Sequence, residues 1–137
     1  MSIFDLTLEE IGGPTPEATM VTSLIESCRR ARRKPIRELV PSDLRVLIGQ
    51  NLDVEFLLPL AVGLLNADPV HDADYFPGAL LLNALYAATG GVAICDWTQN
   101  CLQAAVERAL GLLDEEDEDE VATAKEVREL AHQLWRG

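Results

Sequence analysis

The chain has 137 residues and a formal net charge of −12, from 23 Asp and Glu against 11 Lys and Arg. That length suits one domain with a sizeable core and no need of a disulfide or metal staple. The acidic excess argues against a general nucleic-acid binder, whose affinity needs cationic surface against phosphate. Hydrophobic residues make up 48% of the chain and aromatics only 5%, so Leu, Val, Ile and Ala must build the core, which favours helices over a β-sandwich.

Thr7 and Glu10 have capping-box spacing, which predicts a short helix through Ile11 that Gly12 and Gly13 end. Beyond Pro14 and Pro16, the apolar residues Val21, Leu24, Ile25 and Cys28 recur at helical spacing. Glu17 to Arg33 therefore reads as an amphipathic helix that Pro35 stops. Pro41 suits a first helical position, and Leu44, Leu47 and Ile48 form the stripe of a helix ending at Gly49. Asp53 is placed to cap the next helix, Val54 to Leu65, which is apolar almost all round and is expected to be central and buried. Pro59 lies too deep in it for a free donor position and predicts a kink or a tightened turn.

A polar connection from Asn66 to Asp74 leads into a helix from Pro77 to about Ala88, with Asp74 as its cap and Gly90 and Gly91 as its stop. Val92 to Cys95 reads as coil. Asp96 and Gln99 mark another capped start, followed by the stripe Leu102, Ala105, Val106, Ala109, Leu110 and Leu113. Seven consecutive acids, Asp114 to Glu120, separate that helix from a last one carrying Val121, Ala124, Val127, Leu130, Ala131, Leu134 and Trp135. The expected fold is all-α, a compact single-domain bundle over residues 1–137 with about six or seven helices.

Cys28, Cys95 and Cys101 are an odd set without paired spacing, and the N-terminus has neither a basic flank nor an apolar run. Both point to a cytoplasmic protein. The three thiols fall in or beside apolar stretches, which predicts inert structural cysteines. Phe76 to Cys95 is twenty residues free of Asp, Glu, Lys, Arg and His, but its Pro, Gly and Asn breaks argue against a membrane span.

Two blocks of charge stand out. Asp114, Glu115, Glu116, Asp117, Glu118, Asp119 and Glu120 carry −7 and read either as a solvated hinge or as an electrostatic guide for a basic protein. Arg29, Arg30, Arg32, Arg33, Lys34 and Arg37 carry +6. They read as complements to a helix C-terminus, as partners for acids of the same chain, or as a phosphate site. The last lacks any accompanying aromatic or glycine-rich loop. Arg32 falls on the apolar stripe, so its stem must lie along that stripe. His71, Asp72 and Asp74 put three potential metal ligands close together, but no fourth stands at a diagnostic spacing, and no nucleophile elbow, HExxH or P-loop occurs. No metal, cofactor or catalytic residue is expected.

A series of short segments then carries a resemblance. In order they are Leu6-Thr7-Leu8-Glu9, Arg33-Lys34-Pro35-Ile36-Arg37-Glu38-Leu39 and Asp43-Leu44-Arg45-Val46-Leu47-Ile48-Gly49-Gln50. Leu58-Pro59-Leu60-Ala61, Asp68-Pro69, and Asp74-Tyr75-Phe76-Pro77-Gly78 with Leu80-Leu81 follow. Over about residues 6–85 the chain resembles the immunity proteins of bacterial contact-dependent growth inhibition (CDI) systems. The resemblance implies a cytoplasmic antidote, not an enzyme, that binds the C-terminal toxin domain of a cognate CdiA effector. That partner is a basic protein, commonly a nuclease, held as a one-to-one heterodimer with no direct contact to nucleic acid or membrane. Where the family commonly has an acid after the Pro-Gly pair, this chain has Ala79.

The matching residues Arg33, Lys34, Pro35, Leu44, Gly49, Pro59, Phe76, Pro77 and Gly78 read as scaffold, because turns, stops and stripes account for them. Toxin contacts are expected instead at Asp72, Asp74 and Tyr75, or along Asp114 to Glu120, where carboxylates can shield a cationic nuclease cleft. Tyr75, Phe76, Tyr86, Trp97 and Trp135 are the aromatics available as interface anchors. The competing reading is a small helical adaptor that binds a regulatory protein or nucleic acid through Arg29 to Arg37.

Overall fold

The computed structural model describes residues 2–15 and 23–135. Among them lie seven α-helices: α1 (Leu8–Gly12), α2 (Ser23–Arg32), α3 (Pro41–Gly49), α4 (Val54–Ala67), α5 (Ala79–Thr89), α6 (Asp96–Leu112) and α7 (Glu118–Leu134). Two 3-10 turns, Ile3–Asp5 and Ile36–Glu38, complete the helical inventory, and an isolated antiparallel bridge joins Thr7 to Pro35. The all-α architecture is the one the composition implied. The predicted start of α2 at Glu17 lies outside the described residues.

Local chemistry sets several helix ends as expected. The Thr7 hydroxyl accepts the Glu10 N–H at 3.1 Å while Glu10 Oε1 accepts the Thr7 N–H at 3.1 Å, which closes the capping box of α1. Pro41 opens α3 and Gly49 ends it. Helix α4 runs on through Pro59.

Other ends differ from expectation. Asp53 stands at the N-cap of α4 in a left-handed conformation with φ 53°, but its carboxylate makes no cap bond because a distant arginine holds it. Helix α5 begins at Ala79 rather than Pro77, because Gly78 turns left-handed at φ 89°. A Cβ at Gly78 would lie 2.9 Å from Thr123 Cγ2 on α7, so close packing as well as conformation requires glycine there. Asp74 therefore caps nothing. Helix α6 is preceded by Cys95, with Asp96 already inside the helix, so the Asp96 cap does not form. The acidic run is divided: Asp114 to Glu116 turn the chain after α6, Asp117 caps α7, and Glu118 to Glu120 make its first turn, where carboxylates complement the helix dipole.

The centre of the bundle is α5, packed against α3, α4, α6 and α7. Leu80, Leu81, Ala84 and Leu85 are wholly buried. Helix α4, expected at the centre from its hydrophobicity, buries Leu57, Ala61, Val62 and Leu65 but turns Glu55, Gly63 and Asn66 to solvent. Because α5 ends at Thr89, the uncharged stretch from Phe76 to Cys95 is not one helix. No described helix is long and apolar enough to cross a membrane.

Candidate functional site

The basic segment is committed to the fold. Arg32 is 3% exposed; its Nε donates to Asp53 Oδ2 at 2.7 Å, its Nη2 to Asp53 Oδ1 at 3.1 Å and its Nη1 to Thr15 Oγ1 at 3.1 Å. This fork satisfies a guanidinium that helical periodicity drives onto the apolar side of α2. Gly12 lies over the pair so closely that a Cβ there would sit 2.8 Å from Asp53 Oδ1. Around it Arg29 pairs with Glu26 at 3.2 Å, Arg33 with Glu9 at 3.1 Å, Lys34 with Asp43 at 3.0 Å, and Arg37 with Asp5. Glu9 also accepts the Thr15 N–H and hydroxyl at 3.0 and 2.7 Å, and these bonds, with Arg33, hold its pKa down at about 2. Only Arg30 of the six cations makes no ion pair among the described residues.

The acidic candidates lie later in the chain, in a loop before α5 and at the start of α7. In the loop from Asp68 to Gly78, Asp72 Oδ1 accepts the Asp74 N–H at 3.0 Å, the Asp72 carbonyl accepts the Tyr75 N–H at 2.9 Å, and His71 Nδ1 accepts the Ala73 N–H at 2.9 Å. Ala73 is buried, whereas Asp72, Asp74 and Tyr75 are exposed. Phe76 and Pro77 then form one wall of a groove of about 290 Å³ whose other wall is Asp119, Glu120 and Thr123. The end of the loop thus meets the acidic start of α7 across one depression, which Asp72, Asp74 and Tyr75 do not line.

Within the acidic run the hydrogen bonds are divided. Asp117 Oδ1 accepts the Asp119 and Glu120 N–H groups at 2.9 and 3.2 Å, Asp114 Oδ1 accepts the Glu116 N–H at 2.8 Å, and Glu120 Oε1 accepts the Asp114 N–H at 3.1 Å. No such bond is made by the carboxylates of Glu115, Glu116, Glu118 and Asp119 among the described residues, and all four are exposed. A second hollow of about 250 Å³ lies behind the run, lined by Leu110, Leu113, Val121 and Ala124 with Asp114, Glu115 and Arg128. Leu112 and Val121 beside it are exposed.

Sequence reasoning missed Arg45. Its Nε donates to the Ala73 carbonyl at 3.1 Å, and its guanidinium carbon sits 5.0 Å from the centre of the Tyr75 ring. Nothing in the local pattern of α3 marks it, since the loop it holds follows far along the chain. Of the other aromatics, Trp97 and Tyr86 are exposed and Phe76 and Trp135 are half-buried. Tyr86 donates its hydroxyl to Glu126 at 2.9 Å, a bond that raises the phenol's pKa.

The cysteines divide, against the expectation of three inert thiols. Cys28 is buried, and burial pushes its pKa up. Cys95 is exposed before α6 with its sulfur 3.2 Å from Thr98 Oγ1, and hydrogen bonding from Thr98 lowers its pKa. Among the described residues no group of three or more His, Cys, Asp and Glu could hold a metal ion.

Fold and surface together define a small acidic helical bundle in which most cations of the basic segment pair with acids of the same chain, while the acidic run is exposed apart from Glu120. Compared with protein families, residues 8–90 match the CDI immunity proteins, a span from α1 to the end of α5 and more than half of the chain. The chain belongs to that family. Neither the curated proteins nor the solved structures gave a match. The Asp72 to Tyr75 loop falls inside the matched span, and the acidic run with α6 and α7 falls outside it.

Proposed function

We propose that this immunity protein acts in the cytoplasm as a single domain that neutralises a basic, nuclease-type CdiA C-terminal toxin domain by one-to-one binding, without turnover. The observation that carries this reading is the distribution of charge. Residues 54–137 hold 15 acidic and 4 basic side chains, with no ion pair among the described ones. A nuclease needs a cationic cleft for its phosphate backbone, and clustered free carboxylates both steer toward such a cleft and occupy it.

The proposed contact surface runs from Asp72, Asp74 and Tyr75 across the Phe76–Pro77 groove to Asp114, Glu115, Glu116, Asp117, Glu118, Asp119 and Glu120. Exposed Leu112 and Val121 add apolar area at its edge. The competing adaptor reading loses its support, because five of the six cations in Arg29 to Arg37 already hold acids of the same chain.

Co-expression with the toxin domain encoded immediately upstream tests the proposal. Growth rescue and a complex that co-purifies at low salt and weakens as salt rises are expected. Killing that continues despite soluble immunity protein, with no complex at low salt, overturns it.

A further inference from the structure

Tyr75 is the most exposed large hydrophobic side chain among the described residues, at 70%, yet it is held on two sides. The Arg45 guanidinium lies 5.0 Å from its ring centre, and the Phe76 ring meets it edge-on at 4.8 Å. The backbone beneath is fixed as firmly. Ala73 and Asp74 both take left-handed conformations, φ 47° and 64°, that non-glycine residues seldom adopt. His71, Asp72 and Arg45 each hold one backbone polar group of that turn. The result points the Ala73 methyl into the core and Tyr75 outward. Arg45 is in turn seated by α5, where Asn83 donates to its backbone carbonyl at 3.3 Å.

A loop needed only to cover the core would have no use for a rigid aromatic ring in solvent. Tyrosine anchors bind well when few rotamers must be frozen, and a ring already stacked on arginine loses little freedom on docking. We infer that Tyr75 is the aromatic anchor for the toxin domain and that Arg45 is a positioning residue, which presents the ring by stacking on it and by holding the Ala73 carbonyl. The inference rests on the immunity reading and adds to it a pre-organised, uncharged contact that salt does not screen.

The test measures binding of the purified toxin domain encoded upstream to the wild-type chain, Tyr75→Ala, Arg45→Met and the double variant. Tyr75→Ala, on an exposed loop, is expected to leave the melting temperature unchanged and to weaken binding about 30-fold, chiefly through faster dissociation and equally at low and high salt. Arg45→Met is expected to weaken binding about tenfold alone and to add little once Tyr75 is gone, because it acts through the ring. Arg45→Lys, which keeps the charge without the planar fork, should restore part of the loss. Tyr75→Ala binding within about twofold of wild type overturns the anchor, and an Arg45→Met loss that persists in full beside Tyr75→Ala overturns the positioning role. If the wild-type chain itself fails to bind, the immunity reading falls first and this inference with it.

Discussion

Residues 1–53 carry eight acidic and seven basic side chains, net −1, and five ion pairs join them; residues 54–137 carry a net −11 and no ion pair among the described ones. The first region has the shorter elements: two 3-10 turns, the five-residue α1 and helices of ten and nine residues. Such pieces bury little apolar surface on their own, although Leu8 and Ile36 reach the core. Ion pairs tie these pieces to one another, with Arg32 reaching the start of α4 at Asp53. The second region contains α4 to α7, whose Leu, Val and Ala supply most of the core, so it holds together without ion pairs and leaves its carboxylates to solvent. The difference teaches that the two blocks of opposite charge do not serve each other. One is paired within the fold, and the other is left largely to solvent.

The sharpest way to break this contrast is Arg32→Met. It strands the Asp53 carboxylate, 13% exposed beneath Gly12, without its partner, and the expected loss of stability in urea unfolding is about 3–5 kcal/mol. A loss under about 1 kcal/mol would place this pair with ordinary surface bridges and remove the structural role of the basic block. In the second region the matching lesion is steric. Gly78→Ala puts a methyl against Thr123 Cγ2 in a left-handed conformation and should cost about 1–3 kcal/mol, with Thr123→Ser recovering part of the melting temperature.

Within the acidic run, Asp117→Ala removes the cap of α7 and should cost about 1 kcal/mol. Joint conversion of Glu115, Glu116, Glu118 and Asp119 to their amides should leave stability within about 0.5 kcal/mol while weakening toxin capture and its salt dependence. Should the four amides destabilise as much as the lost cap, those acids serve the fold and not a partner.

The smallest effect concerns Glu9. Its folded pKa of about 2 lies below the usual carboxylate value of about 4.5, so its favourable contribution is complete above pH 4.5 and is lost as pH falls through about 2. Thr15→Val removes one of the hydrogen bonds responsible and should move the carboxyl titration, followed by NMR, back toward 4.5. An unmoved titration would assign the shift to the Thr15 N–H and Arg33 instead.

Much of the fold is legible along the chain wherever a signal and its effect lie within a turn or two of helix. The Thr7–Glu10 box, the Pro41 start, the Gly49 stop and the coil from Val92 to Cys95 all fall where local pattern puts them. The cap assigned to Asp53 fails because a distant arginine holds its carboxylate, whereas those assigned to Asp74 and Asp96 fail because α5 starts later, after Gly78, and α6 starts earlier, at Asp96 itself. The candidate site divides in the same way. Its acids were legible as acids, but the nearness of Phe76 and Pro77 to Asp119 and Glu120, and the hold of Arg45 on Tyr75, depend on contacts between distant segments.

By itself, then, the sequence determined the helical content, the acidic balance, the two charge blocks and the family, all of which are written in composition, periodicity and short motifs. Only the tertiary structure decided that α5 rather than α4 lies at the centre, that Arg32 meets Asp53, that Ala73 faces in while Tyr75 faces out, and that Phe76 and Pro77 share a groove with Asp119 and Glu120. Backbone hydrogen bonding and helix period act over a few residues and are local properties of the chain. Burial and charge pairing depend on which faces meet, and that is fixed only when the helices pack together.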